Sequence, residues 1–351
     1  MKIAILGLSI TSSWGNGHAT TYRGLVKELA RRGHQVIFFE RDVPWYASNR
    51  DLPSPSYCAL RLYQSFEELA DCHGGDIRTS ELVMVGSYVP EGVKVGKWVT
   101  EISTGVKAFY DIDTPVTLDK LRRGDYEYIS PELIPKYDIY LSFTGGPTLK
   151  ILENHYGAQK ARALYCSVDP EVYFPSGIQP YWDLGYIGTY SADRQCALSR
   201  YLLEPSQRLA GRFVVAGSLY PEDISWPRNV KRIEHLPPGR HREFYCSQRF
   251  TLNITRINMI KAGFSPSVRL FEAAGCGTPI ISDYWDGINS VFRPGEEILI
   301  ARTENDVISY LLNLSAAECE RLSRNARTRV LAEHTAAHRA ESLEQYVLGK
   351  K

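Results

Sequence analysis

The sequence predicts an α/β chain of two domains, each built round a mostly parallel sheet. Three observations lead there. Apolar runs of strand length alternate with helical segments along the chain. The first of them open a Rossmann-like unit: a strand, a glycine-containing loop, a helix and a second strand. Residues 167–182 then break the pattern with Pro170, Pro175, Gly177 and Pro180 and no helical period, after which strands begin again. A length of 351 residues is enough for two domains of ordinary size.

Each element follows from local pattern. Lys2 to Leu8 is a short apolar strand, and Ser9 to Thr20 is a loop holding Gly15-Asn16-Gly17-His18. Over Thr21 to Arg32, Tyr22, Leu25, Val26 and Leu29 fall on one helical face, and Gly33 stands where a left-handed cap ends a helix. Gln35–Glu40, Leu82–Val85, Val106–Tyr110, Asp138–Phe143 and Ala161–Cys166 read as strands, and a helix follows Gly145-Gly146-Pro147. The second half restarts with Asp183–Tyr190, a helix from Asp193, and strands at Arg212–Gly217, Val230–His235, Arg249–Ile254 and Glu297–Ala301. The predicted domains are 1–168, a linker 169–182, a second domain 183–330, and a last helical segment 331–351 that returns to the first domain.

Composition excludes several classes. Lys+Arg 41 against Asp+Glu 40 leaves no global pull towards nucleic acid or acidic lipid. The seven cysteines form no C-x-x-C pair, which fits a reduced, cytoplasmic chain. No apolar run approaches the ~20 residues that span a bilayer, and MKIAILGLSI reads as a first strand rather than a signal peptide. Contact with a membrane surface stays open, through Arg321, Arg324, Arg327 and Arg329, although a solvated helix face explains them equally.

The segment from Gly263 to Gly287, GFSPSVRLFEAAGCGTPIISDYWDG, is the most informative. It reads as a helix entered at Ser265-Pro266-Ser267, a tight turn at Gly275-Cys276-Gly277, and a buried strand from Pro279. Pro266 suits a first helical turn, and a helix N-terminus attracts an anion. Glu272 on that helix offers acceptors to sugar hydroxyls. The pattern Glu-Ala-x-x-x-Gly-Thr-Pro-Ile-Ile resembles the donor-binding element of GT-B glycosyltransferases, and the wider wording resembles the CgeB-like (spore maturation protein) members. SVDPEVYFP from Ser167 resembles the junction before their donor domain, and LARRGHQV resembles their first helix-to-strand junction. The resemblance implies a GT-B fold, two Rossmann-like domains facing each other across a cleft. It also implies transfer of a sugar from a nucleotide-diphosphate sugar to an acceptor hydroxyl, and a Glu272 contact to the donor ribose.

Other candidates follow by position. In the family, Gly-Arg-x-x-x-x-Lys supplies cations to the diphosphate; here Gly188 is kept, Thr189 replaces the Arg and Arg194 replaces the Lys. A guanidinium can bind phosphate bidentately, so Arg194 is a suitable substitute, and Arg256 is the candidate second cation. Arg269, one turn from Glu272, reads as its ion-pair partner. Gly15 and Gly17 permit close backbone approach to the donor, and His18 in the same loop is a candidate general base. Asp111 and Asp113 end a strand, with alternation placing both on one side; Asp113 is the second candidate for the base. The metal motif that Asp-x-Asp resembles belongs to another architecture, and no metal or other cofactor is expected beyond the nucleotide sugar as co-substrate. His334 and His338 have metal-ligand spacing but read as one solvated helix face. Retaining relatives carry a second Glu where this chain has Phe264, so stereochemistry is left open.

The sequence therefore predicts a metal-independent glycosyltransferase with His18 and Asp113 as catalytic candidates. Gly15, Gly17, Arg194, Arg256, Ser265, Ser267 and Glu272 are its donor-binding candidates. The acceptor is a glycan or small molecule. The alternatives are a nucleotide-sugar epimerase of the same fold and a non-catalytic nucleotide-sugar-binding protein.

Overall fold

The computed structural model describes residues 1–15 and 17–349. The chain forms two compact units: residues 1–166 together with the segment from Ala336 onward, and Ser167–Thr335. The second unit thus takes in residues 167–182.

In the first unit the strands are β1 (Lys2–Gly7), β2 (Gln35–Arg41), β3 (Ala59–Tyr63), β4 (Leu82–Gly86), β5 (Val106–Asp111), β6 (Ile139–Ser142) and β7 (Ala161–Ala163). They pair in parallel in the order β3-β2-β1-β4-β5-β6-β7. Ile3 faces Val36 on one side and Leu82 on the other. Alternation divides the side chains between two cores: Ala4, Leu6, Val83 and Val85 fill one face of the sheet, and Ile3, Ile5, Leu82 and Met84 fill the other. A parallel sheet covered on both faces needs such continuous apolar runs.

The second unit repeats the plan with β8 (Trp182–Ile187), β9 (Phe213–Ala216), β10 (Val230–Ile233), β11 (Gln248–Asn253), β12 (Ile280–Ser282) and β13 (Leu299–Ile300). Their order is β10-β9-β8-β11-β12-β13, again all parallel. In both sheets the winding reverses once, between β1 and β4 and between β8 and β11. In open α/β sheets the C-terminal ends of the strands flanking that reversal form the ligand crevice.

Several expectations need correction. The first helix starts at Gly17, not Thr21, so His18 lies in its first turn rather than in the preceding loop. β5 ends at Asp111; Asp113 is the N-cap residue of the helix Thr114–Arg122, whose first turn holds Pro115. Strand alternation therefore does not place Asp113 beside Asp111. The helix of the informative segment spans Val268–Gly275 with Ser267 at its N-cap, which leaves Pro266 outside the first turn. The C-terminal region is two helices, Ala316–Glu333 and Ala336–Leu348, the first opened by a Ser315–Glu318 capping box. His334 and His338 lie on opposite sides of the break. His334 is buried, with its ring 5.0 Å from that of Phe271, so it is no solvated face.

Helix Ala336–Leu348 completes the first unit. Ala340 and Leu343 join the core of Tyr22, Leu25, Val26 and Leu29. Buried Arg339 donates to the carbonyls of Tyr165 at 3.1 Å and Cys166 at 3.4 Å. Arg32 and His34 both bond Glu344.

Tyr22 is fully buried between Phe38 and Tyr110, at ring distances of 5.2 and 5.9 Å, and its hydroxyl lies against Gly86 at the end of β4. A methyl at Gly86 would run into that hydroxyl. Gly86→Ala is expected to destabilise the protein by about 1–3 kcal/mol, the usual range for overpacking, measured by urea denaturation.

Candidate functional site

In the second unit, three guanidinium groups gather at the β8/β11 reversal. Arg194 follows β8 on the helix Ala192–Leu198, Arg256 caps the helix Ile257–Ala262 after β11, and Arg269 sits in the first turn of the helix Val268–Gly275. Arg194 Nη2 donates to the Thr189 carbonyl at 2.6 Å. Its Nε is buried without a partner among the described residues, as is the Tyr186 hydroxyl beside it. Burial lowers the Arg194 pKa, and the charges of Arg269 and Arg256 lower it further. Among the described residues, none of the three forms an ion pair. The carboxylate of Asp193, which accepts from the Ile257 N–H at 3.0 Å, lies close enough to Arg256 and Arg194 to interact with their charges, and the three guanidinium groups leave an excess of positive charge at this corner.

Arg269 does not pair with Glu272. Its Nη1 donates to Asn253 Oδ1 at 3.1 Å, the Ile254 carbonyl at 3.2 Å and Ser267 Oγ at 3.1 Å, and the group lies 5.3 Å from the Tyr186 ring. Glu272 is instead held by phenols. Tyr245 donates to it at 2.9 Å, and Tyr173 also reaches it. Glu272 is only 4% exposed, so its carboxylate is fixed within the unit. Ser265 is buried, and Ser267 accepts from Arg269 instead of capping its own helix. At the position where retaining relatives carry Glu, Phe264 adopts a left-handed φ of 45° and packs on Gly287.

In the first unit, His18 and Asp113 come together at the β1/β4 reversal through Tyr88. The rings of His18 and Tyr88 are 5.4 Å apart, and the Tyr88 hydroxyl donates to Asp113 Oδ2 at 3.1 Å. Tyr88 holds a left-handed φ of 63°, which costs a non-glycine residue about 1 kcal/mol, and it stacks on Tyr128 at 4.6 Å. Burial lowers the His18 pKa, and the Asp113 charge acts in the opposite direction. Asp111 is separate: it is fully buried and accepts from Tyr140 at 2.6 Å and Thr117 at 2.7 Å, and burial pushes its pKa up to about 6. Gly15 has φ 60° and is exposed; Gly17 opens the helix; Asn16 lies outside the described residues.

The loop after β1 is fixed by a residue that the sequence did not single out. Glu40, at the end of β2 and fully buried, accepts from Ser9 Oγ, Ile10 N, Thr11 N and Thr11 Oγ1 at 2.6–3.0 Å. Arg23 ties the same loop from the other side, donating to the Ile10 carbonyl and to Asp51, which accepts from Ser13. Tyr88 and Tyr245 were also missed; both act through tertiary contacts that no local pattern signals.

Residues 194–345 match the sequence family described as Glycosyl transferase-like. That stretch lies almost wholly within the second unit. The fold is that of GT-B glycosyltransferases. No curated protein matches it in sequence. Among solved structures, an alpha-glucosyltransferase in complex with UDP-glucose and DNA containing an abasic site is similar at TM-score 0.76 and 13% identity over 99% of each chain. Anabaena HepE in complex with UDP and glucose is similar at TM-score 0.73 and 11% identity, over 99% of this chain and 100% of that one. Sucrose-phosphate synthase from Thermosynechococcus elongatus is similar at TM-score 0.69 and 13% identity over 98% of each. Among the described residues, no helix is long and apolar enough to cross a membrane.

Glu40→Gln keeps the shape but replaces two acceptor oxygens by one. It is expected to lower stability by about 2 kcal/mol in denaturant titration and to speed amide exchange at Ile10 and Thr11.

Proposed function

We propose that the second unit binds a nucleoside diphosphate sugar and that the enzyme transfers the sugar to an acceptor hydroxyl held by the first. The observation that carries this is the set of three guanidinium groups at the β8/β11 reversal, with the buried Nε of Arg194 left without a partner. A diphosphate would balance the positive charge that Asp193 alone does not offset there. When the sugar–phosphate bond breaks, negative charge grows on the leaving oxygen, and fixed cations already desolvated there lower the barrier. Arg194, Arg256 and Arg269 then take the electrostatic role that a divalent metal has in other transferases. Glu272, oriented by Tyr245, is assigned to the ribose. Uridine is the favoured nucleoside, because the similar alpha-glucosyltransferase and HepE structures hold UDP or UDP-glucose.

On the acceptor side, His18 is the proposed base. Its lowered pKa keeps the imidazole neutral near pH 7, and Asp113, linked through Tyr88, stabilises the imidazolium formed when the proton arrives. Gly15 and Gly17 leave the adjoining backbone open to substrate. The acceptor class is a glycan or small molecule. The wording from Ser265 to Gly287 supports a place among the CgeB-like enzymes, and seven free thiols support a cytoplasmic location.

UDP is expected to bind the wild type in buffer containing EDTA, by titration calorimetry, with Arg194→Met weakening binding at least about tenfold and Glu272→Ala weakening it with the fold intact. Wild type that binds no nucleotide at millimolar concentration would refute the donor assignment, and UDP binding abolished by EDTA and restored by Mg²⁺ would refute the metal-free one. The pH profile tests the base. Activity should fall on the acid side, below the ordinary histidine pKa, as His18 becomes protonated. Asp113→Asn removes the charge that raises that pKa, so the acid limb should move to lower pH; an unmoved limb means that His18 is not the titrating base.

A further inference from the structure

The opposite edge of the second sheet, where β8, β11 and β12 begin, holds a pocket of about 500 Å³ that the transfer reaction does not use. Its walls include Pro175, Trp182, Gln248, Arg249 and two cysteines, Cys246 and Cys276. Cys246 ends the helix His241–Cys246, and Cys276 caps the helix Val268–Gly275. Cys246 Sγ lies 3.8 Å from the Cys276 carbonyl, which makes the two cysteines neighbours across the helix ends. A second bond lies alongside: Thr278 Oγ1 donates to the Tyr245 carbonyl at 2.8 Å. The two chain segments are thus already held side by side. Cys246 is half-buried and opens on the pocket, whereas Cys276 is 3% exposed.

We propose that Cys246 and Cys276 form a peroxide-responsive thiol pair, with Cys246 attacked first and Cys276 resolving it to a disulfide. The Cys246 thiolate attacks one oxygen of hydrogen peroxide; the O–O bond breaks, a sulfenic acid forms and water leaves after proton uptake. The Cys276 sulfur then attacks the Cys246 sulfur, the S–O bond breaks, and a second water leaves with the thiol proton. Two thiols lose two electrons in total and the peroxide gains them. The pair divides the roles as this order requires. Interaction with Cys276 and Ser176, together with the Arg242 charge, brings the Cys246 pKa down to about 6, while interaction with Cys246 and burial push its partner's thiol up. The bond would join the helix that carries Tyr245 to the helix that carries Glu272, which already meet at 2.9 Å. This site does not depend on the donor assignment.

The test treats the full chain with increasing hydrogen peroxide, blocks remaining thiols by alkylation and maps peptides by mass spectrometry. The expected result is a Cys246–Cys276 linked peptide that appears before oxidation of the exposed Cys72 and Cys196 and is reversed by dithiothreitol. Dimedone, which traps sulfenic acids, should label Cys246 in Cys276→Ser at least tenfold more than in wild type. A wild type in which Cys246 stays reduced, or accumulates as sulfenic or sulfinic acid without the link, overturns the proposal. Equal dimedone labelling in both proteins does so as well. The wild-type map decides alone if the variant does not fold.

Discussion

In an all-parallel sheet every strand delivers its C-terminal end to the same edge, and the helices that return the chain must leave that edge in one of two directions. Where the direction changes, no crossover covers the strand ends, and the backbone there is open. Both units place polar groups at that gap. β1 and β4 bring His18 and Tyr88, while β8 and β11 bring Arg194 and Arg256. The hydrophobic alternation that sorts Ile3 and Ala4 into opposite cores is therefore also what aligns the reactive edge.

Around each gap the chain uses buried polar groups to set the geometry. Glu40 gathers four donors from three successive residues, so the loop after β1 has few other conformations open to it. Tyr245 plays the corresponding part for Glu272, and Tyr88 for Asp113. In each case a polar side chain fixes a loop or a carboxylate beside the gap. A left-handed Tyr88 persists because stacking on Tyr128 and the bond to Asp113 offset its backbone cost.

Much of this was legible in the sequence. Most of the strands are readable because their apolar runs are buried on both faces, as in β1, β4 and β9; β3, ALRLY, is an edge strand of mostly half-buried residues and carries no such run. Glu272 and Arg194 stood in recognisable local wording. Arg269 was misread because helical spacing makes Glu272 its natural partner, and only the fold shows that Tyr245, on another helix, takes the carboxylate. The local reading of Asp113 as part of a strand end fails: the strand stops at Asp111, and a helix begins at Thr114 with Pro115 in its first turn. The break at His334-Thr335 has no glycine or proline to announce it. There Val168 N–H bonds the His334 carbonyl at 3.1 Å, a long-range pairing that periodicity cannot reveal.

That break has a consequence for how the protein is made. The second unit is an insertion in the first, since residues 336–348 supply Arg339, Ala340 and Leu343 to a core otherwise built from residues before 167. On the ribosome, the inserted unit has all of its sequence available before the host unit does. The host must wait with an apolar face of the helix Gly17–Arg31 uncovered while 169 further residues, 167 to 335, are synthesised. The first half of the chain to emerge is thus the last to be finished, and a chain stopped after Thr335 would hold a complete second unit beside an open first core.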